Sequence, residues 1–200
     1  MQFLDPRNGN LSSRKTRIRY DIAGDARELT FSCFRRFKFL ERDRTRTWFI
    51  EELEIVRKEF SFDLWAYVIM PEHVHLLVYP HDDNTSVGSA IGKLKERVSR
   101  LAVQFLKQHS SIWLDRIKVI EGKKTRHRFW QPGGGYDRNA TELTTVHKMI
   151  DYIHYNPVRR GLVNTPEDWY WSSAQWYAGI RPVPIEIDAT IPMQYLLGPQ

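Results

Sequence analysis

The sequence predicts an α+β domain in which helices pack on an antiparallel sheet. Short segments with alternating apolar residues favour strands, and longer segments with apolar residues at steps of three and four favour helices. Along the chain these segments follow the order strand, helix, two strands, helix, strand, helix, and an aromatic segment comes last. The chain has 200 residues, of which 42% are hydrophobic and 27% charged, which is enough for one compact core.

The first half of the chain supplies four of these elements. The predicted strands cover residues 26–34, 62–70 and 73–79, and the predicted helix covers residues 46–60. The apolar residues of that helix lie at steps of four, three and four, and they are Phe49, Leu53, Val56 and Phe60. Pro71 lies between the second and third strands, where proline fits a tight hairpin connection.

The second half of the chain begins with the strongest helix signal, over residues 85–109. Its apolar face consists of Val87, Ile91, Leu94, Val98, Leu101 and Phe105. The next segment, residues 111–128, is basic and predicts one strand at 116–122. Residues 128–131 are a candidate for a further short strand.

A last helix is predicted before Pro157, because the residue before a proline is disfavoured in helical geometry. Its apolar stripe consists of Leu143, Val146, Ile150 and Ile153. Asn139 and Glu142 have the spacing of a capping box at its start. Three consecutive glycines at residues 133–135 predict a flexible joint in front of it.

Composition limits the classes of function. Thirty Lys and Arg against 24 Asp and Glu give a net charge of +6, which indicates an anionic partner such as nucleic acid, although many basic proteins bind none. The single cysteine, Cys33, excludes an internal disulfide and a cysteine-rich zinc site, which fits a reducing cytoplasm. No signal peptide is evident at the N-terminus, and the apolar runs are too short to cross a membrane.

Two histidines lie one residue apart inside the third predicted strand. Residues i and i+2 of a strand share a face, so His73 and His75 project together and Val74 projects to the opposite side. Two adjacent imidazoles cannot both be protonated at low cost, and a divalent cation between them removes that conflict. A pair of ordinary surface histidines on an edge strand is the alternative.

Tyr152 and Asn156 share a face of the last helix, because they are four residues apart. A tyrosine hydroxyl can act as a nucleophile, and an asparagine carbonyl can bind a hard metal ion. The alternative is an amphipathic tyrosine at the edge of the core and an asparagine that ends the helix before Pro157.

Basic and aromatic residues form a third set, in which cations could hold phosphates and rings could stack on bases. The candidates for DNA contact are Arg14, Lys15, Arg17, Lys93, Arg97, Arg100, Arg126, Arg128 and Trp130. The alternative for most of the cations is a solvated surface.

Four motifs together resemble a known family. They are "MPEHVHLLV", "FWQPGGGYDRN", "DYIHYNPVRRGLV" and "PEDWYWSSAQWY". In this combination the chain resembles the single-tyrosine HUH transposases, and more closely the REP-associated tyrosine transposases of bacteria. The resemblance covers roughly residues 20–179. It implies a ferredoxin-like antiparallel sheet with packed helices, the HUH endonuclease fold.

The resemblance also implies an activity. His73 and His75 would bind a divalent metal, Mg²⁺ or Mn²⁺, with Asn156 as third ligand, and Tyr152 would be the nucleophile. The implied reaction is cleavage and strand transfer of single-stranded DNA at hairpin, REP-like sequences, through a covalent 5′-phosphotyrosine intermediate. A monomer in the bacterial cytoplasm is expected, a homodimer is compatible with the sequence, and the tyrosine helix could act in cis or in trans.

The implied domain plan has three parts. Residues 1–20 form a basic, weakly ordered N-terminal segment, residues 21–163 the catalytic domain, and residues 164–200 an aromatic and proline-rich tail. Two other functions are compatible with the motifs. One is a hairpin-binding regulator without catalysis, and the other is a metallohydrolase that uses an activated water.

Overall fold

The computed structural model describes residues 2–4, 11–13, 25–81, 86–133, 135–140 and 143–191. Its strands in chain order are β1 (Gln2–Leu4), β2 (Leu11–Ser13), β3 (Ala26–Ser32), β4 (Phe62–Ile69), β5 (His73–Pro80), β6 (Lys118–Glu121), β7 (Lys124–His127) and β8 (Tyr136–Ala140). Its helices are α1 (Asp43–Glu59), α2 (Val87–His109), α3 (Ser111–Arg116), α4 (Leu143–His154), α5 (Asn156–Arg159) and α6 (Ala174–Tyr177). Within these described residues, no helix combines the length and the apolar character needed to cross a membrane.

The main sheet has four strands in the order β4-β5-β3-β8, and every neighbouring pair is antiparallel. Together with α1 and α2, these strands follow the chain order strand, helix, strand, strand, helix, strand. This is the ferredoxin-like arrangement, so the predicted fold class is confirmed. Two small antiparallel pairs, β1 with β2 and β6 with β7, lie outside the main sheet.

Helices cover the sheet on both faces. On one face α1 and α2 pack over alternate strand residues, and the β5 members of this cluster are Val74, Leu76 and Val78. On the other face α4 packs against β4 and β5, and its buried residues are Val146, Met149, Ile150 and Ile153. Since strand side chains alternate between faces, His73 and His75 lie on the α4 side.

The segment formed by residues 164–191 lies along the outer edge of β4. The backbone N–H of Ser173 donates to the carbonyl of Tyr67, and the N–H of Asp188 donates to the carbonyl of Leu64. Ile185 and Ile187 enter the core between the sheet and the α1–α2 layer. This segment therefore pairs with an edge strand that would otherwise present open backbone groups.

The fourth strand of the main sheet was not predicted. β8 follows the predicted glycine joint and contains Asn139, the predicted helix cap, which pairs in register with Arg27 of β3. Asn139 thus lies inside a strand, and α4 begins only at Leu143, so the predicted capping role of Asn139 is wrong; its Nδ2 donates to Asp25. The strand predicted at 116–122 exists as β6, but it pairs with β7 and not with the main sheet.

The other predicted elements agree with the structure to within a few residues. Helix α2 begins at Val87, with Ser86 as its N-cap accepting from the N–H of Ser89, and Thr85 lies outside the described residues. Within residues 128–131, Trp130 forms an isolated bridge with Cys33.

Candidate functional site

The two histidines lie side by side beneath α4. Their rings are 5.0 Å apart between centroids and nearly perpendicular, and both side chains are buried. The position follows from the β5 register, since Ser32 and Thr30 of β3 lie opposite His73 and His75.

Both imidazoles make their contacts with the chain through Nδ1. His73 Nδ1 lies 3.1 Å from Glu72 Oε1, and His75 Nδ1 lies 2.8 Å from the hydroxyl of Thr30. Glu28 Oε1 is 3.8 Å from the same nitrogen of His75. A histidine held at one ring nitrogen presents the other in a defined direction, so Nε2 is the nitrogen left for a ligand in both residues.

Burial, reinforced by the adjacent His75, lowers the pKa of His73 to about 4, although Glu72 opposes this shift. The imidazole of His73 is therefore neutral near pH 7. A neutral imidazole has the free lone pair that a metal ion requires.

Tyr152 projects from α4 beside the histidine pair. Its ring centroid lies 5.4 Å from that of His75, and its side chain is 43% exposed. The guanidinium of Arg159 lies 5.0 Å from the centre of the tyrosine ring. The phenol is thus next to the candidate metal ligands and open to a large substrate.

Asn156 begins the short helix α5, one turn after Tyr152, and is buried. Its Nδ2 donates to the carbonyl of Tyr152 over 3.0 Å, which leaves the amide oxygen for another contact. The same stretch of chain is tied to the histidine strand, because Arg160 forms an ion pair of 3.1 Å with Glu72. A direct hydrogen bond between Asn156 and either histidine is not found among the described residues, so its role as a third ligand stays a prediction.

That Mg²⁺ or Mn²⁺ is the ion for these donors stays a prediction. Among the described residues, no group of three or more His, Cys, Asp or Glu side chains is arranged to hold a metal. Two neutral imidazoles and an amide oxygen carry no net charge, so a bound ion would keep its affinity for an anionic phosphate. Hard divalent cations accept such nitrogen and oxygen ligands, and manganese is the more tolerant of imidazole.

Residues 27–156 match the family model described as "Transposase IS200 like". This span is more than half of the chain, and it contains both histidines, Tyr152 and Asn156. The chain belongs to the IS200-like transposase family. The resemblance inferred from the motifs is thereby confirmed.

This IS200-like transposase has curated relatives. A Haemophilus influenzae protein named "Putative REP-associated tyrosine transposase" is 28% identical over 144 residues, which cover 68% of this chain and 77% of the relative. The REP-associated tyrosine transposase of Escherichia coli K12 is 25% identical over 120 residues, covering 59% and 58% of the two chains.

A solved structure supports the fold of this IS200-like transposase. A REP-associated tyrosine transposase bound to a REP hairpin matches it with a TM-score of 0.63 and 20% identity, covering 91% of this chain and 96% of the other. At that identity the likeness concerns the fold, and it agrees with the predicted HUH endonuclease architecture.

Most candidates for DNA contact in the transposase lie away from the histidines. Lys93 and Arg97 are on α2, on the opposite face of the sheet, where Lys93 pairs with Glu96, and Arg97 pairs with Glu59 over 2.8 Å. The exposed Arg100 is on the same helix. The DNA-contact role of these residues stays a prediction.

The remaining candidates are divided between a hairpin, the core and the undescribed N-terminal residues. Arg126 and Arg128 both pair with Glu121 of the β6–β7 hairpin. Trp130 is only 6% exposed, and its indole N–H donates to the carbonyl of Lys95. In this structure its ring is therefore packed in the core and does not present a face for stacking on a base. Arg14, Lys15 and Arg17 lie outside the described residues.

Four residues that the sequence did not single out line a cleft beside Tyr152. They are Glu28 and Thr30 on β3, Arg138 on β8 and Lys148 on α4, and the cleft has a volume of about 580 Å³. Alternation along β3 is the signal that could have placed Glu28 and Thr30 on the face away from Leu29. Their proximity to His75 depends on strand pairing, which the sequence pattern leaves undetermined.

Proposed function

We propose that this transposase cleaves single-stranded DNA at a hairpin and rejoins it through a covalent bond to Tyr152. The observation that carries the proposal is the 5.4 Å separation between the rings of Tyr152 and His75. A nucleophile is useful only within reach of the group that activates its target, and here a candidate nucleophile adjoins two candidate metal ligands.

His73, His75 and the amide oxygen of Asn156 would hold one divalent cation, Mg²⁺ or Mn²⁺. When bound, such an ion polarises the scissile phosphate and neutralises the charge that develops on it. Glu72 and Thr30 support this role, because they hold the Nδ1 atoms of the two imidazoles and leave both Nε2 atoms to the ion.

In the proposed step, the hydroxyl oxygen of Tyr152 attacks the scissile phosphorus and the bond from phosphorus to the 3′ oxygen breaks. The 5′ phosphate becomes joined to the tyrosine, and the proton lost by the phenol balances the proton gained by the 3′ oxygen. Attack by that 3′ hydroxyl on the phosphotyrosine reverses the step, so strand transfer needs no ATP. The positive charge of Arg159 beside the ring favours negative charge on the attacking oxygen.

The proposed substrate is DNA that contains a hairpin of the REP type. A solved relative of the same fold binds a REP hairpin, and the net charge of +6 suits a polyanion. Because Tyr152 lies beside His75 of its own chain, we propose that it acts in cis and that the working unit is a monomer. We propose the bacterial cytoplasm as the location, as the single cysteine predicts.

The test is an adduct assay with hairpin oligonucleotides taken from repeats that flank the gene. Wild-type protein with Mn²⁺ or Mg²⁺ should form a covalent protein–DNA species that survives denaturing electrophoresis. Tyr152→Phe should abolish it, whereas Tyr155→Phe, a matched change at an exposed neighbouring tyrosine, should retain it. Adduct formation by Tyr152→Phe would show that another residue is the nucleophile.

Two further outcomes identify the alternative functions. Metal-dependent cleavage without an adduct, unchanged in Tyr152→Phe, would indicate a metallohydrolase that activates water. Tight hairpin binding without metal binding or cleavage would indicate a regulator that has the transposase fold.

A further inference from the structure

Helix α4 covers only part of the sheet face that carries the histidines. Its apolar stripe rests on β4 and β5 and reaches Ala26 of β3 and Ala140 of β8. In the part of the chain that the structure describes, it leaves open a polar patch of β3 and β8 that contains Glu28, Thr30 and Arg138. The open part is the cleft of about 580 Å³ beside Tyr152. This volume is within the range of roughly 300–1,000 Å³ typical of sites for small ligands.

The floor of the cleft contains the carboxylate of Glu28, a residue that is 5% exposed. Its Oε1 lies 3.8 Å from His75 Nδ1, beyond hydrogen-bond distance, and no hydrogen bond to this carboxylate is found among the described residues. A carboxylate that faces a cleft without a donor favours a ligand that supplies N–H or O–H groups. A carboxylate only accepts hydrogen bonds, which defines the chemistry of that ligand at this point.

The rim of the cleft is cationic. Arg138 of β8 lies opposite Glu28 in the strand register, and Lys148 projects from α4. Both are exposed, and no ion pair with an acidic residue is found for either within the described part of the chain. Cations of this kind hold phosphates.

An aromatic ring completes the lining. Tyr136 lies opposite Thr30 at the start of β8 and is 45% exposed, so its ring can stack on an unpaired base. A stacking ring, two rim cations and a buried acceptor together match the parts of one nucleotide.

We propose that this cleft binds one unpaired nucleotide next to the scissile phosphate and that Glu28 selects its base. Guanine fits best, because its N1–H and N2–H₂ donors lie side by side and match the two oxygens of a carboxylate. Adenine and cytosine place a ring acceptor beside the amino group, and thymine has one donor between two carbonyls. This inference rests on the proposed role of Tyr152, since the cleft adjoins that residue.

The experiment measures binding without cleavage. Fluorescence anisotropy measures the affinity of the Tyr152→Phe protein, in EDTA, for four labelled oligonucleotides. Each is five nucleotides long and consists of thymidine except at the centre, which is dG, dA, dC or dT. We expect the dG oligonucleotide to bind about tenfold more tightly than the other three, since a good bidentate contact to a base is worth that much. Adding Glu28→Gln should remove the preference for dG, because the amide replaces one acceptor by a donor.

Matched controls separate the base contact from the phosphate contacts. Arg138→Gln and Lys148→Gln should weaken all four oligonucleotides by a similar factor and preserve the preference for dG. Glu51→Gln and Lys58→Gln change exposed residues of α1, on the far face of the sheet, and should leave all four affinities unchanged. Thermal melting checks the fold of Glu28→Gln, which is isosteric with the wild type.

Equal affinities for the four oligonucleotides, or a preference for dG that persists in Glu28→Gln, would overturn the proposal. A failure of wild-type adduct formation would instead count against the proposed function, because the anisotropy assay uses neither metal nor the tyrosine hydroxyl. The two ideas can therefore fail separately.

Discussion

His154 should make the protein less stable in mild acid. It ends α4 and is buried, with Nε2 2.8 Å from Ser173 Oγ, which in turn accepts from the backbone N–H of Tyr67 on β4. Burial lowers the pKa of His154 from 6.5 to about 4, although the charges of Asp151 and Glu167 oppose the shift. The histidine therefore stays neutral in the folded state at a pH where the unfolded chain takes up a proton.

The sign and size of the effect follow from proton linkage. Between pH 6.5 and pH 4 the unfolded state binds more protons at His154 than the folded state does. The contribution of His154 to the free energy of unfolding is therefore fully present above this window and is lost as the pH falls through it. Between pH 7.5 and pH 5 a shift of this size corresponds to roughly 2 kcal/mol of unfolding free energy.

Urea unfolding of wild type and His154→Gln at both pH values tests the reasoning. The variant should be less stable by about 1–3 kcal/mol at pH 7.5, because Ser173 loses its partner, and this gap should narrow by about 2 kcal/mol at pH 5. The titration of His73 is common to both proteins and cancels in the difference. His147→Gln, at an exposed position of the same helix, controls for the substitution. Parallel pH profiles for wild type and His154→Gln would refute the argument.

Two other substitutions test the sheet around the site. In Gly135→Ala the added Cβ would lie 2.9 Å from the carbonyl carbon of Thr30 and nearer still to its oxygen, so urea unfolding should show a loss of at least ~3 kcal/mol. Gly133→Ala also has a positive φ but open space around the Cβ, and should lose only about 1 kcal/mol; equal losses would remove the steric explanation. Thr30→Val removes the hydroxyl on His75 Nδ1 and should weaken Mn²⁺ binding in calorimetry roughly tenfold. Thr47→Val, at an exposed position of α1, should leave the Mn²⁺ affinity unchanged. An unchanged Mn²⁺ affinity in Thr30→Val would mean that Thr30 does not orient His75.

The histidine face could be predicted from the sequence because it depends only on local geometry. A strand signal over residues 73–79 is enough to put His73 and His75 on one side and Val74 on the other, and the core clusters agree. The same holds for α4, whose apolar stripe turns toward the sheet and leaves Tyr152 at its edge. The spacing of apolar and polar residues along the sequence is enough to predict both the histidine face of the strand and the position of Tyr152 on the helix.

Strand β8 could not be predicted on the same grounds. Its residues, "YDRNA", have no apolar alternation, and three glycines precede them. Two tertiary features stabilise the strand: pairing with β3, and the ion pair of Asp137 with the buried Arg27. Neither leaves a local signal, so the sequence predicts a joint at the glycine run, whereas in the structure one of its members, Gly135, allows close approach of the backbone to Thr30.

Trp130 illustrates a different limit. A tryptophan among basic residues is compatible with base stacking and with burial, and local sequence does not distinguish them. In the fold its ring packs edge-on against that of Phe31, with 5.1 Å between the ring centroids, and its indole N–H donates to the carbonyl of Lys95. A buried indole needs such an acceptor, and only the tertiary structure supplies it.

The division of the sheet face under α4 accounts for the position of Tyr152. Apolar residues on β4, including Ala66 and Val68, pack against the helix because the burial of their side chains requires no polar partners. The helix reaches Ala26 and Ala140 of β3 and β8, but further apolar contact over these strands would cover the exposed Arg138, whose charge would be costly to bury unpaired. Its edge, with Tyr152, therefore lies at the boundary beside His75. Substitutions on β4 should accordingly change mainly the free energy of unfolding, whereas substitutions at Glu28 should change mainly ligand binding.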